Sequence, residues 1–210
     1  MNFRVITGLA IIAGSSCAAT PATGQPPCPK TGGSTVLIQL FTGNVGIGVT
    51  AQAESVAAKI LSAAGVWLRW APPRFPAELR RCASLSITIE LDTGTPYGLL
   101  PRAWAYATPF ASSGTTIHIF WDRLTRIREK ELWAPVLGHI LAHEITHVLQ
   151  HTAWHSGEGL MKARWQPSDF TAMAYRPLSL RADDIDLIHR GLATLSEEAT
   201  PTAGDAIAGH

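Results

Sequence analysis

Three things that often announce a function are scarce in this chain. There are only three cysteines in 210 residues and no CxxC pair, so neither a cysteine-held metal cluster nor a dithiol redox centre is written into it. Charge is sparse, at 16% of residues, and balanced, with 17 Lys and Arg against 16 Asp and Glu. No run of like charge occurs, which argues against a nucleic-acid partner. No later uncharged apolar stretch approaches the roughly 20 residues that span a bilayer, so no transmembrane segment is expected. What is present is apolar material, 46% of the chain, enough for one ordinary core. A monomer is the expectation.

At the start of the chain, Arg4 precedes a short apolar run over residues 5–13, followed by small residues. This pattern reads as a secretory signal over residues 1–24, with Ser16 and Ala18, or Ala22 and Gly24, as alternative small residues before the cut. A secreted or periplasmic protein is the consequence. Cys17 raises the alternative of a lipoprotein, but the aliphatic residue usual three positions upstream is missing, since Gly14 stands there. Removal of the leader leaves Cys28 and Cys82, an expected disulfide in an exported chain.

Residues 25–33, rich in Pro, Gly and Thr, read as a flexible lead-in, and residues 34–196 as a single domain. STVLIQLF at 34–41 is β-prone. Thr50 is placed to cap a helix whose apolar residues Ala53, Val56, Ala57, Ile60, Leu61 and Ala64 follow three-four spacing until Gly65. Strand patterns follow at 66–70, 85–91 and 115–121. The intervening stretch 92–113 is either a functional loop or a further strand. A buried helix is expected over 132–152, and a last helix over 181–195 carries Asp183, Asp184 and Asp186 near its start. Residues 197–210 read as a disordered tail. The fold class expected is α+β: a small mixed sheet packed on a backing helix and on the central helix.

The central helix holds the chemistry. In HEITH, His143 and His147 stand four residues apart, so both imidazoles project from one helical face and can grip one zinc ion. Glu144, next to the first histidine, can reach a water activated by the metal and act as general base. A hydrolytic site needs a third ligand. His151 continues the stripe but lies roughly 12 Å along a regular helix from His143. His155 is better placed if the chain reverses after the helix, with Glu158 the next choice and His151 eligible only if the helix breaks early. His118 and His139 are read as structural.

At these residues the sequence resembles the zincin superfamily. AHEITHVLQHTAWHSGEGLMKARW is similar to the metzincin arrangement of active-site helix, third histidine and methionine turn. The resemblance implies a zinc metallopeptidase with Met161 packed beneath the ligands and Trp165 fixing the chain that follows. It departs from the pattern HExxHxxGxxH at two places, with Gln150 where glycine is usual and Ala153 where the third histidine stands. The order of elements further resembles small secreted bacterial zincin-like proteins. By analogy with zincins, the strand in TTIHIFWDRL is expected at the sheet edge, aligning a peptide or protein substrate. Two other readings remain in play: a zinc hydrolase of non-protein amides, and an inert metal-binding homologue, against which Glu144 argues.

Overall fold

The structure is a computed structural model, and it describes residues 33–72, 82–92, 94, 103–111 and 114–198. The expected signal and nearly all of the lead-in, the Pro-rich turn after residue 72, Cys28 and the tail from residue 199 lie outside the described residues. So does the Cys28–Cys82 pairing.

Among the described residues, five strands make one sheet. They are β1 (Ser34–Phe41), β2 (Val66–Ala71), β3 (Leu85–Asp92), β4 (Ala105–Ala111) and β5 (Gly114–Phe120), in the spatial order β2-β1-β3-β5-β4. β1 runs parallel to β2 and β3, β3 runs parallel to β5, and β4 alone is antiparallel, against β5. The sheet is mixed, as expected for an α+β fold. β4 comes from the segment that the sequence left open between loop and strand. It takes the edge position, so β5 is interior, and the expectation that TTIHIFW forms the edge is corrected.

Helix α1 (Ile47–Ser62) connects β1 to β2, and a short helix α2 (Trp121–Leu124) and a 3-10 turn (Lys130–Leu132) lead into α3 (Trp133–Gln150). α4 (Pro167–Tyr175) and α5 (Ala182–Glu198) are the last of the described elements. Thr50 does not cap α1. The helix starts three residues earlier, behind Gly46, and the Thr50 hydroxyl donates to the Ile47 carbonyl inside the first turn. A threonine hydroxyl can bond a carbonyl of its own turn, so a threonine near a helix start does not by itself mark the cap. α4 had no counterpart in the sequence reading. Its signal is local: Pro167 at the first helical position, and a capping box between Gln166 and Asp169.

Alternation explains the core. Val36 and Ile38 on β1, Ile87 and Ile89 on β3, and Ile117 and Ile119 on β5 are buried together with Ala53, Ala57 and Leu61 of α1 and Leu137, Leu141 and Ile145 of α3. α1 and α3 touch at Gly138, where a Cβ would lie 2.6 Å from Val56 Cβ and 2.8 Å from the Ala53 carbonyl oxygen. Only glycine lets the two helices approach so closely. This packing buries α3 along most of its length and fixes the direction in which its histidines point. Among the described residues no helix is long and apolar enough to cross a membrane.

Candidate metal centre

α3 ends where its chemistry ends. His151 closes it in the left-handed conformation, φ 54°, so the helix does break there, as His151 would have needed in order to ligate. Its side chain nevertheless stays outside the cluster that forms. That cluster is His143, His147 and His155, whose ligand atoms all lie within 4.8 Å of one another. His147 Nε2 is 3.0 Å from His143 Nε2 and 3.2 Å from His155 Nε2. Glu158 is directed elsewhere, with its carboxylate accepting from Arg181 Nη1 at 2.8 Å.

Backbone carbonyls orient two of the rings. Nδ1–H of His143 donates to the Leu160 carbonyl and Nδ1–H of His147 to the Thr152 carbonyl, each at 3.0 Å. A carbonyl can only accept, so the proton of each neutral ring is on Nδ1 and the Nε2 lone pair faces the cluster. Burial, reinforced by His147 close by, pushes the pKa of His143 down to about 3. Burial also lowers that of His147. Neutral imidazoles with facing lone pairs about 3 Å apart repel unless a cation sits between them. Tetrahedral ligands at 2.0–2.1 Å from zinc are about 3.3 Å apart, so the donor set fits that ion.

The loop carrying His155 is tied down from behind by the start of α5. The fully buried Asp184 accepts the Arg181 N–H at 3.0 Å, lies 3.4 Å from Ser156 Oγ, and takes the Gln150 side-chain amide on its backbone carbonyl at 3.1 Å. Leu160 N–H bonds the Ser179 carbonyl at 2.9 Å. At Gly159, φ 68°, a Cβ would come within 2.4 Å of that same carbonyl oxygen. Trp165 Nε1–H donates to the Leu160 carbonyl at 3.1 Å, sharing it with His143, and the two rings meet edge to face at 5.5 Å. Met161 is wholly buried.

Sequence reading named the three histidines but missed what holds them: the Leu160 and Thr152 carbonyls and Asp184. Carbonyls carry no sequence signal. Asp184 had one, but its place near a helix start explained it too easily. His139 has the structural role expected, since Nδ1–H donates to the Pro135 carbonyl at 2.6 Å and Nε2 accepts the Leu178 N–H at 2.9 Å.

Burial pushes the Glu144 carboxyl up to about 7, although the residue keeps partial contact with solvent. It therefore stands where a carboxyl exchanges protons near neutral pH.

No protein-family model matches this chain, and no curated protein does. Among solved structures it is similar to archaemetzincin from Methanopyrus kandleri, with 14% identity and a TM-score of 0.50 over 79% of this chain and 98% of that one. At that identity the likeness speaks for the fold. The chain has a zincin-like α+β fold with the histidine triad on and just beyond its central helix.

Proposed function

We propose that this chain is a zinc metallohydrolase that cleaves peptide bonds, with His143, His147 and His155 as ligands and Glu144 as general base. The observation that carries the reading is the convergence of three imidazole Nε2 atoms, with the desolvated Glu144 next to the first of them in the chain. Zinc bound there would supply Lewis acidity and lower the pKa of a water toward about 7.

The chain's own groups do the rest. Glu144 accepts the proton of the attacking water and passes it to the leaving amine, a task suited to a carboxyl lifted toward neutrality. The Leu160 and Thr152 carbonyls hold two rings in the ligating tautomer. Met161 lines the floor below them, as the resemblance to a methionine turn implies. An extended peptide would align by main-chain bonds along β4, the sheet edge beside β5. Export by the leader at residues 1–24 would place this activity outside the cytoplasm.

Glu144→Gln tests the assignment. The variant should keep near-stoichiometric zinc and lose at least about 100-fold in hydrolysis of a peptide library, the usual scale of a general base. Full activity in that variant would refute the role of Glu144. Wild-type activity confined to non-peptide amides would move the substrate class and leave the site in place.

A further inference from the structure

A second group of ligand-type side chains lies on the sheet face turned away from α3. Alternation on β3 buries Ile87, Ile89 and Leu91 and leaves Glu90 and Asp92 together on the opposite face. The register sets His118 of β5 directly beside Glu90. One ligand atom from each of the three lies within 4.8 Å of the others. His118 Nδ1 is 3.0 Å from Asp92 Oδ2 and 3.4 Å from Glu90 Oε2. Tyr106, opposite His118 on β4, stacks on the imidazole at 4.6 Å with the planes 9° apart, so the ring plane is set.

Among the described residues, this arrangement leaves charge uncompensated. Nδ1 of an imidazole carries at most one proton, and two carboxylates converge on it. Among the described residues, neither Glu90 nor Asp92 forms an ion pair with a lysine or arginine; both pair with His118. The side chains are 44%, 29% and 20% exposed for Glu90, Asp92 and His118, so water can complete a coordination shell. All three sit on hydrogen-bonded strands rather than loops, which holds them in place without a bound ligand.

We propose that Glu90, Asp92 and His118 form a second metal site, a structural one, for a divalent transition-metal ion. Zinc is the ion that suits one imidazole nitrogen with carboxylate oxygens. Calcium and magnesium prefer shells made of oxygen alone. The ion would clamp β3 to β5 beside the edge strand β4. This inference is independent of the peptidase reading, since it uses none of the residues of that site.

Metal counting tests it. The full mature chain is stripped with chelator, reloaded with zinc alone, freed of unbound metal by gel filtration and measured by mass spectrometry. The expected content is two zinc ions in the wild type, and one each in His118→Ala and in the double variant Glu90→Gln, Asp92→Asn. His147→Ala should also retain one, lost from the other site. If His118→Ala fails to fold by circular dichroism, the shape-conserving double variant decides alone. The second equivalent should also raise the unfolding midpoint of the wild type and not of the double variant. One zinc in the wild type, unchanged in the double variant, overturns the proposal in favour of a hydrogen-bonded His118 bridging two carboxylates. Two zinc ions in the wild type and in His147→Ala, with one in the double variant, would sustain this site and overturn the triad instead.

Discussion

Adding one methyl group at Gly191 tests how the last helix is seated against the central helix α3. A Cβ built there lies 1.9 Å from the Leu149 carbonyl oxygen, 3.0 Å from its carbon and 3.2 Å from the Gln150 carbonyl carbon. Carbon and carbonyl oxygen do not approach closer than about 3.3 Å in ordinary contact, so α5 has to withdraw by about 1 Å or more. The atoms met are backbone and cannot rotate aside. Overpacking of this kind costs about 1–3 kcal/mol, and at this chain length each kcal/mol lowers the melting temperature by roughly 2–4 °C. Gly191→Ala should therefore melt roughly 2–12 °C below the wild type in a circular dichroism scan. The displacement also reaches the site, because Asp184 on α5 holds both Gln150 and Ser156. Zinc affinity in a chelator competition should fall with stability. Gly48→Ala is the control: it lies in the first turn of α1 with nothing within 4 Å of an added Cβ. It should gain about 0.5–1 kcal/mol from helix propensity. A Gly191→Ala chain that melts with the wild type and binds zinc equally well would refute the close seating of α5.

Three further outcomes are expected. His139→Leu leaves the half-buried Leu178 N–H without its acceptor, costing about 1 kcal/mol in a urea titration while zinc content stays unchanged; a loss of zinc would show that His139 is more than structural. In the metal-free chain, His143 falls from 6.5 to about 3 on folding, so the folded state binds fewer protons between those values. Its stabilisation is complete above pH 6.5, falls as pH drops, and is exhausted below about 3, roughly 5 kcal/mol at most; the lowered pKa of His147 adds in the same sense. Acid titration of the metal-free chain with no loss of stability between pH 6.5 and 5 would contradict this. Asp184→Asn should weaken zinc binding roughly 10-fold, the scale of a residue that orients ligands, and a cobalt-substituted sample should show an altered d–d spectrum; an unchanged spectrum and affinity would reduce Asp184 to a helix cap.

Much of the fold could be read along the chain because it rests on local periods. STVLIQLF is β1 to the residue, and Gly65, φ 69°, stands at the turn between α1 and β2 as expected. β4 was ambiguous because its stretch is broken by Pro and Gly and its pairing partner, β5, lies downstream. The position of the edge strand was misjudged for the same reason: whether a strand is interior depends on what pairs with its far side. α4 escaped notice because nine residues show too short an apolar period, although Pro167 and Asp169 marked its start.

The candidate site divides along the same line. His143, Glu144 and His147 share one stretch of helix, and the four-residue spacing alone puts the two imidazoles on one face, since helical geometry is set within a single turn. The sequence by itself determined that much, and it narrowed the candidates for a third member of the cluster to His155, Glu158 or His151. Only the tertiary structure decided which side chain joins the pair. That choice depends on the left-handed turn at His151 and on Asp184 and Ser179, which hold the returning loop from about twenty to thirty residues away in sequence. Contacts between distant segments leave no period in the sequence. The same holds for Glu90, Asp92 and His118, unremarkable as separate residues and brought together only by the register of two parallel strands.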